Sequence, residues 1–574
     1  MRLKQLFAKR RKKKDRNNLS SNHTSWGRTA RMESLEDRRM LANYFVMPGE
    51  SIQDAIDSAQ NDGMSDTIFL KSGNYNQQLN IRDNDPLKIV GLGNVYLNGG
   101  DFDGNIVDIE NSHHVTLKNL TIRYGNDDNV DAEDTYKLEF YNVHSIDSRD
   151  DGVDAERVDY VYAYNSKFNS NDDNGMEFRN VGHVYLKDVQ ASYNGLKKDN
   201  WDPNDNNGIS YVNLIRYGTE AATSVNETEE EFEMSGVLDI YSGDFSKNKQ
   251  DGIHTSGVKD VYIDTIYAND NRETGLEVGG ILKAPALTET NGIGQADKVH
   301  VNYAAFDANG EDGAHVYAYD VKFTETRALH NDGSGVSVGN AYEVYVHNSD
   351  YSYNGLEGLE IDHSDWVTID YIQANHNGQF SDDTGLSVDG VEDLTVHNSQ
   401  FLSNIGDGIY VNMYEYGHTL IDYVDSSYNT GDGIDLRNGS ANIETVRTNH
   451  NDYNGIRSVA LESLYINDST SKYNGYNGLK ILGGRKHEQP LVEEPDNGNG
   501  FHGTNVHIVW SDFSHNYKDG IHAENVGSVV LERMSATYNG DDGYESINPY
   551  VPATVIDSVF EHNYDQNFVE YFNT

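Results

Sequence analysis

Fifteen glycines set at recurring intervals along the chain are each followed by an apolar residue, and in thirteen of the fifteen an asparagine stands four residues ahead. These glycines run from Gly152 to Gly543, and nine of the fourteen intervals between them are 22 to 25 residues. Such spacing is the signature of a solenoid, in which each repeat stacks on its neighbours. Apolar side chains sit one and three places after the glycine, as in Ile409 and Val411, Ile434 and Leu436, and Leu479 and Ile481. That period of two marks a short strand with one buried face. A second alternating stretch recurs, as in Val344 to Ser349 and Leu394 to Ser399, and a third short strand leads to the next asparagine. Three short strands in about 23 residues leave no room for a helix in each repeat, which excludes leucine-rich, ankyrin and tetratricopeptide arrays. An all-β parallel β-helix remains. The glycines are expected in turns of positive φ, and the asparagines are expected to stack coil upon coil through their amides. A thin core, lined by two or three inward side chains per strand, accounts for a hydrophobic content of only 36% in 574 residues.

The repeat resembles the pectin-lyase-like superfamily of right-handed parallel β-helices. The segment Glu50 to Ala59, followed by Asp66 to Tyr75, is similar to that superfamily's N-terminal cap. The resemblance implies a short amphipathic helix there, with Ile52, Ala55, Ile56 and Ala59 plugging the open end of the core. The expected organisation is a single-stranded right-handed coil of about 15–18 turns, with a cap and first coils over 43–104 and the body over 105–574. Loop insertions are expected near 197–206, 212–235, 281–297 and 484–503.

The first 42 residues carry 13 Lys and Arg against 4 Asp and Glu, whereas the remainder carries 31 against 89, a formal charge of −58. A basic run such as Lys9 to Lys14 suits nucleic acid or anionic lipid, but the acidic body repels both, so no nucleic-acid partner is expected. The segment Glu33 to Ala42 resembles the LEPR-XLL type of tag on exported bacterial surface proteins, with Asp37 where the tag has proline. That resemblance implies an extracellular or cell-surface location, although the leader lacks the continuous apolar stretch of an ordinary signal peptide. No stretch approaches the length of a membrane span. The chain has no cysteine, which excludes disulfides and thiolate chemistry.

In the pectin-lyase-like superfamily the substrate lies along the outer face of the strand after the repeated glycine. Independently of that resemblance, the insertions all border this strand, as loops walling one face would. The outward row is the residue two after each glycine, flanked by carboxylates just before the glycines. Two neighbourhoods stand out. The first joins Asp251, His254, Glu277, Asp312 and His315, with Trp201 on an adjacent insertion as a sugar-stacking platform. Its imidazoles suit general acid–base work or metal binding. The second joins Asp407, Asp432 and Asp435, whose oxygens suit Ca²⁺, with Arg437, Arg457 and Lys480, which can neutralise a uronate or take its C5 proton, and with Tyr410 in the same row.

The expected function is that of a secreted or surface carbohydrate-active protein, a Ca²⁺-assisted polysaccharide (uronan) lyase or related uronan-modifying enzyme. Its partner is then a polysaccharide, an acidic glycan. Asp407, Asp432 and Asp435 would hold the metal, and Trp201, Tyr410 and Arg437 would bind substrate. Arg457 or Lys480, or His254 with Glu277 and His315, would carry the chemistry. A rival class is a non-catalytic surface adhesin or glycan-binding β-helix. A second rival is a polygalacturonase-like hydrolase, suggested by Asp519-Gly520 followed one coil later by Asp541-Asp542-Gly543. The Gly-His-Gly and Arg-Ile-Lys segments of such hydrolases are missing, as are the Arg-x-Pro-x-x-Arg of the main pectate lyases and the Asp-Pro-His of mannuronan epimerases.

Overall fold

A computed structural model describes residues 43–59, 64–100, 102–196, 206–213, 236–279, 295–380, 383–484 and 503–572. Contacts divide the chain into Met1–Met40 and Leu41–Thr574. The basic leader, Trp201 and most of the insertions lie outside the described residues, although the strand Ala296–Asn302 already begins within the span assigned to the third insertion.

From Asn43 onward short strands pair in parallel, each with the strand one turn above it. The strand after the glycine forms one continuous stack from Leu79–Arg82 to Val569–Tyr571. The next stretch forms a second stack, and isolated bridges from Tyr267 to Val559 form a third. The coil makes about 20 turns, more than the 15–18 expected. The glycine count misses coils at both ends because Gln78, Ile106, Asn129 and Asn567 take the glycine's place there. The strands on either side of residue 105 are paired, Leu79–Arg82 with Val107–Glu110. The cap is as expected: helix α1, Ile52–Ala59, buries Ile52, Ala55, Ile56 and Ala59, and the Ser51 hydroxyl accepts the Asp54 N–H at its start.

Strand alternation sends Ile, Val, Leu and Phe inward to one core along the stack. At the corner before the glycine runs an unbroken column of fifteen asparagines, Asn171 to Asn563. From Asn194 onward each Oδ1 accepts both the backbone N–H and the Nδ2 of the asparagine one coil below, as Asn451 does from Asn429 at 2.9 and 3.2 Å. Where an insertion intervenes, the column takes the asparagine ahead of the loop. Asn194 carries it before Gly208, and Asn377 carries it before Gly385.

The repeated glycines do not have positive φ. They are glycine because the column leaves no room: a Cβ on Gly408 would fall against the Ser426 hydroxyl, 2.5 Å from Asn429 Nδ2 and 2.7 Å from the Gly433 carbonyl. The left-handed turn belongs instead to the residue before each ladder asparagine, such as Tyr353 (φ 65°) and His450 (φ 60°). Side chains at this position stack as rings. Tyr428, His450, Tyr473, His515, Tyr538 and His562 form one column with centroids 4.8–5.2 Å apart, which helps offset the roughly 1–2 kcal/mol that the left-handed backbone costs.

Asn429→Ala strands the Asn404 N–H and amide and the Phe401 carbonyl, and is expected to cost about 3 kcal/mol or more in chemical denaturation. Gly408→Ala, at a backbone conformation alanine tolerates, is expected to cost about 2–3 kcal/mol through the clash alone. A neutral Gly408→Ala would overturn the close-approach account.

Candidate functional site

The outward row exists in register. From Ser210 to Glu545 each residue two after a glycine pairs with its counterpart on the next coil. His254 and Asp435 are seven rungs apart, about 34 Å at the usual strand spacing, so the two neighbourhoods are separate places.

The carboxylates before the glycines differ from the exposed flank expected of them. Asp151, Asp251, Asp432, Asp519 and Asp542 are buried, and each uses one oxygen to accept a backbone N–H from the coil above. They form a second, carboxylate ladder beside the asparagines. Both apparent polygalacturonase-like Asp-Gly segments are thereby accounted for as structure, since Asp519 Oδ1 binds the Asp542 N–H and Asp542 Oδ1 binds the Gln566 N–H.

In the first neighbourhood Asp251, His254 and Glu277 converge. His254 Nδ1 lies 3.2 Å from Asp251 Oδ2 and 3.4 Å from Glu277 Oε2. Burial opposes charge on the imidazole, but its contacts with the two carboxylates, Asp251 foremost, outweigh it and raise the pKa to about 10. Partial burial opposes charge on Glu277 as well, yet its contact with His254 pulls its carboxyl down to about 2. His315 stands one coil up, 3.5 Å from Asp312 Oδ2. Burial acts against its charge and Asp312 more than restores it.

The second neighbourhood also assembles. Asp407, Asp432 and Asp435 each offer one oxygen, and these lie within 4.8 Å of one another. The Asp435 side chain is 3% exposed; its Oδ2 accepts from Arg437 at 2.8 Å and Arg457 at 2.6 Å, and its Oδ1 is buried with no hydrogen-bond partner. Burial, then the charge of Asp432, pushes the Asp407 carboxyl up to about 7. Burial likewise raises Asp432, against its hydrogen bonds from Asn454. Arg437 lies over the Tyr410 ring, 4.9 Å from its centroid. Lys480 pairs in register with Arg457 and makes no ion pair among the described residues. Crowded carboxylates with an orphaned buried oxygen fit a hard divalent cation.

One cluster went unread in the sequence. His522 Nδ1 lies 3.1 Å from Asp519 Oδ2 and 2.7 Å from Glu545 Oε2, and its Nε2 lies 3.0 Å from Glu524 Oε1. The signal was there, because Asp519-Gly-Ile-His522 repeats Asp251-Gly-Ile-His254 letter for letter.

A family model described as a right handed beta helix region matches residues 289–415. The architecture is a right-handed parallel β-helix. Among solved structures, the chain is similar to pectate lyase Pel9A at 12% identity and a TM-score of 0.28, covering 64% of this chain and 80% of that one. It is similar to the A-module of the mannuronan C-5 epimerase AlgE4 of Azotobacter vinelandii at 14% identity and a TM-score of 0.22, covering 90% and 96%. It is also similar to PfbA, a surface adhesin of Streptococcus pneumoniae, at 10% identity and a TM-score of 0.31, covering 68% and 87%. No curated protein sequence matches the chain. Likeness at this level concerns the coil alone, and no residue role is carried over from it.

In EDTA, thermal stability is expected to fall as pH rises. The folded chain keeps the Asp407 proton up to about pH 7 while the unfolded chain loses it near 3.8, so stability declines across that window. The His254 contribution is full below about 6.5 and is lost as pH rises through about 10. Asp407→Asn should flatten the lower part of the decline and His254→Gln the upper part. Melting temperatures that rise across both windows would contradict these assignments.

Proposed function

We propose that the chain is a carbohydrate-active β-helix that cleaves an acidic polysaccharide of the uronan class by cation-assisted elimination at the Asp407–Lys480 part of the face. The observation that carries this reading is the buried, partnerless Oδ1 of Asp435, beside the oxygens of Asp407 and Asp432 and flanked by two arginines. Ca²⁺ bound by these three aspartates would neutralise the uronate carboxylate and acidify C5. Arg437 and Arg457, fixed by Asp435, present guanidinium groups to the same carboxylate. Lys480, one coil above Arg457, is the group that takes the C5 proton. The electron pair left behind forms the C4–C5 double bond, and the oxygen departing from C4 takes a proton from water. A body of formal charge −58 repels a polyuronate, and the cluster of cations at this one place relieves that repulsion locally. Such substrates lie outside cells, which fits the resemblance of the leader to an export tag. Among the described residues no helix is long and apolar enough to cross a membrane.

Incubation with a panel of uronans should give the ultraviolet absorbance of an unsaturated uronate end, abolished by EDTA and restored by Ca²⁺. Lys480→Ala should lower turnover by about 100-fold or more while leaving Ca²⁺ affinity unchanged. Asp432→Ala should weaken calorimetric Ca²⁺ binding and turnover together. Retention of uronans without any unsaturated product would make the same face a binding surface instead.

A further inference from the structure

The two Asp-Gly-Ile-His segments lie far from each other on the row, yet their surroundings match. His254 pairs in register with Glu277, and His522 pairs with Glu545. In both, the same ring nitrogen, Nδ1, faces an aspartate oxygen of its own coil and a glutamate oxygen of the next, at 3.2 and 3.4 Å in one copy and 3.1 and 2.7 Å in the other. One nitrogen carries at most one hydrogen, so it cannot donate well to two carboxylates at once. Three ligand atoms bound to one ion at about 2.0–2.2 Å are separated from each other by similar distances, roughly 3–3.5 Å.

We propose that the face carries two copies of one metal site, Asp251–His254–Glu277 and Asp519–His522–Glu545, each binding a divalent cation of the zinc class. An imidazole with two carboxylates is a ligand set for such borderline ions, in contrast to the all-oxygen cluster at Asp407, Asp432 and Asp435. Both sets are oriented from behind. The second oxygen of Asp251 is held by the Thr274 N–H at 2.8 Å, and that of Asp519 by the Asp542 N–H at 3.0 Å. In the second copy the far ring nitrogen of His522 meets Glu524 at 3.0 Å, the carboxylate–histidine arrangement that fixes a metal-binding ring. The aspartates and histidines are mostly buried, while Glu277 and Glu545 remain 31% and 21% exposed, which leaves each site an open side. The chain also contains its own control. Asp312 and His315 repeat the first two ligands, but the residue in register on the next coil is Ser337, so the third ligand is missing.

The test is titration of the full chain with Zn²⁺ by calorimetry and with Co²⁺ by visible absorption, which reports nitrogen coordination. The wild type should bind two equivalents tightly. His254→Ala and His522→Ala should each lose one, the double variant both, and His315→Ala neither. Glu277→Gln and Glu545→Gln, which keep side-chain volume, should each weaken one equivalent by about 10- to 100-fold, with circular dichroism confirming the coil. Calcium binding at Asp407, Asp432 and Asp435 should be unchanged in the double variant, so the two metal assignments stand or fall separately. A wild type that binds fewer than two equivalents, or a folded double variant that still binds both, overturns the proposal.

Discussion

The contact on which the rest depends is the bond from one buried asparagine to the next. A corner in every coil turns the backbone away from strand pairing, and the amide column satisfies the groups that the turn would otherwise leave buried without partners. Its two bonds per step bring successive coils so close that only glycine fits beside it, as the Gly408 environment shows. The glycine in turn starts the strand whose outward residues form the functional row. The amide, the glycine and the row are therefore three consequences of one packing decision. None can shift register without the others.

The second ladder gives the face its unusual electrostatics. An aspartate whose Oδ1 is tied to the backbone above cannot turn away, and in Asp251 and Asp519 the Oδ2 meets the histidine of the row. Asp251, Asp407, Asp432 and Asp519 all hold this pose. Immobile carboxylates half out of water either take up protons or gather cations. Where histidine follows two places after the glycine, the charge is met by imidazole. Where Asp435 and Arg457 follow, it is met by guanidinium, with one oxygen left over. One scaffold thus produces chemically different pockets by changing a single row position.

Much of this was legible in the repeat. The period identified the architecture, the alternation located the core, and counting two residues past each glycine found the row from Asp154 to Glu545, including the grouping of Asp435 with Arg457. What the letters hid was depth. Asp251 and Asp432 look like surface charges in a polar, acidic chain, and only the stacking of coils shows that their neighbours cover them. The glycines were read as turn formers because conformational freedom is glycine's commoner use, whereas here its lack of a side chain is what matters. Asn194 carries the column before Gly208 although it does not stand at the four-residue spacing, because a loop can add residues without adding a coil. The His522 cluster was missed although its tetrapeptide is a copy of one already singled out. Its partner Glu545 is contiguous only in three dimensions.

The asparagine column is indifferent to how much chain separates its members. Asn194 reaches Asn248 across 54 positions with the same geometry that joins Asn429 to Asn451 across 22. A genetic event that excises or duplicates one complete turn would leave every surviving amide with a neighbour, whereas loss of half a turn would orphan two. Growth and shrinkage of this protein over evolutionary time are thereby quantised, and novelty can accumulate in the excursions between rungs without disturbing the mast to which they are attached.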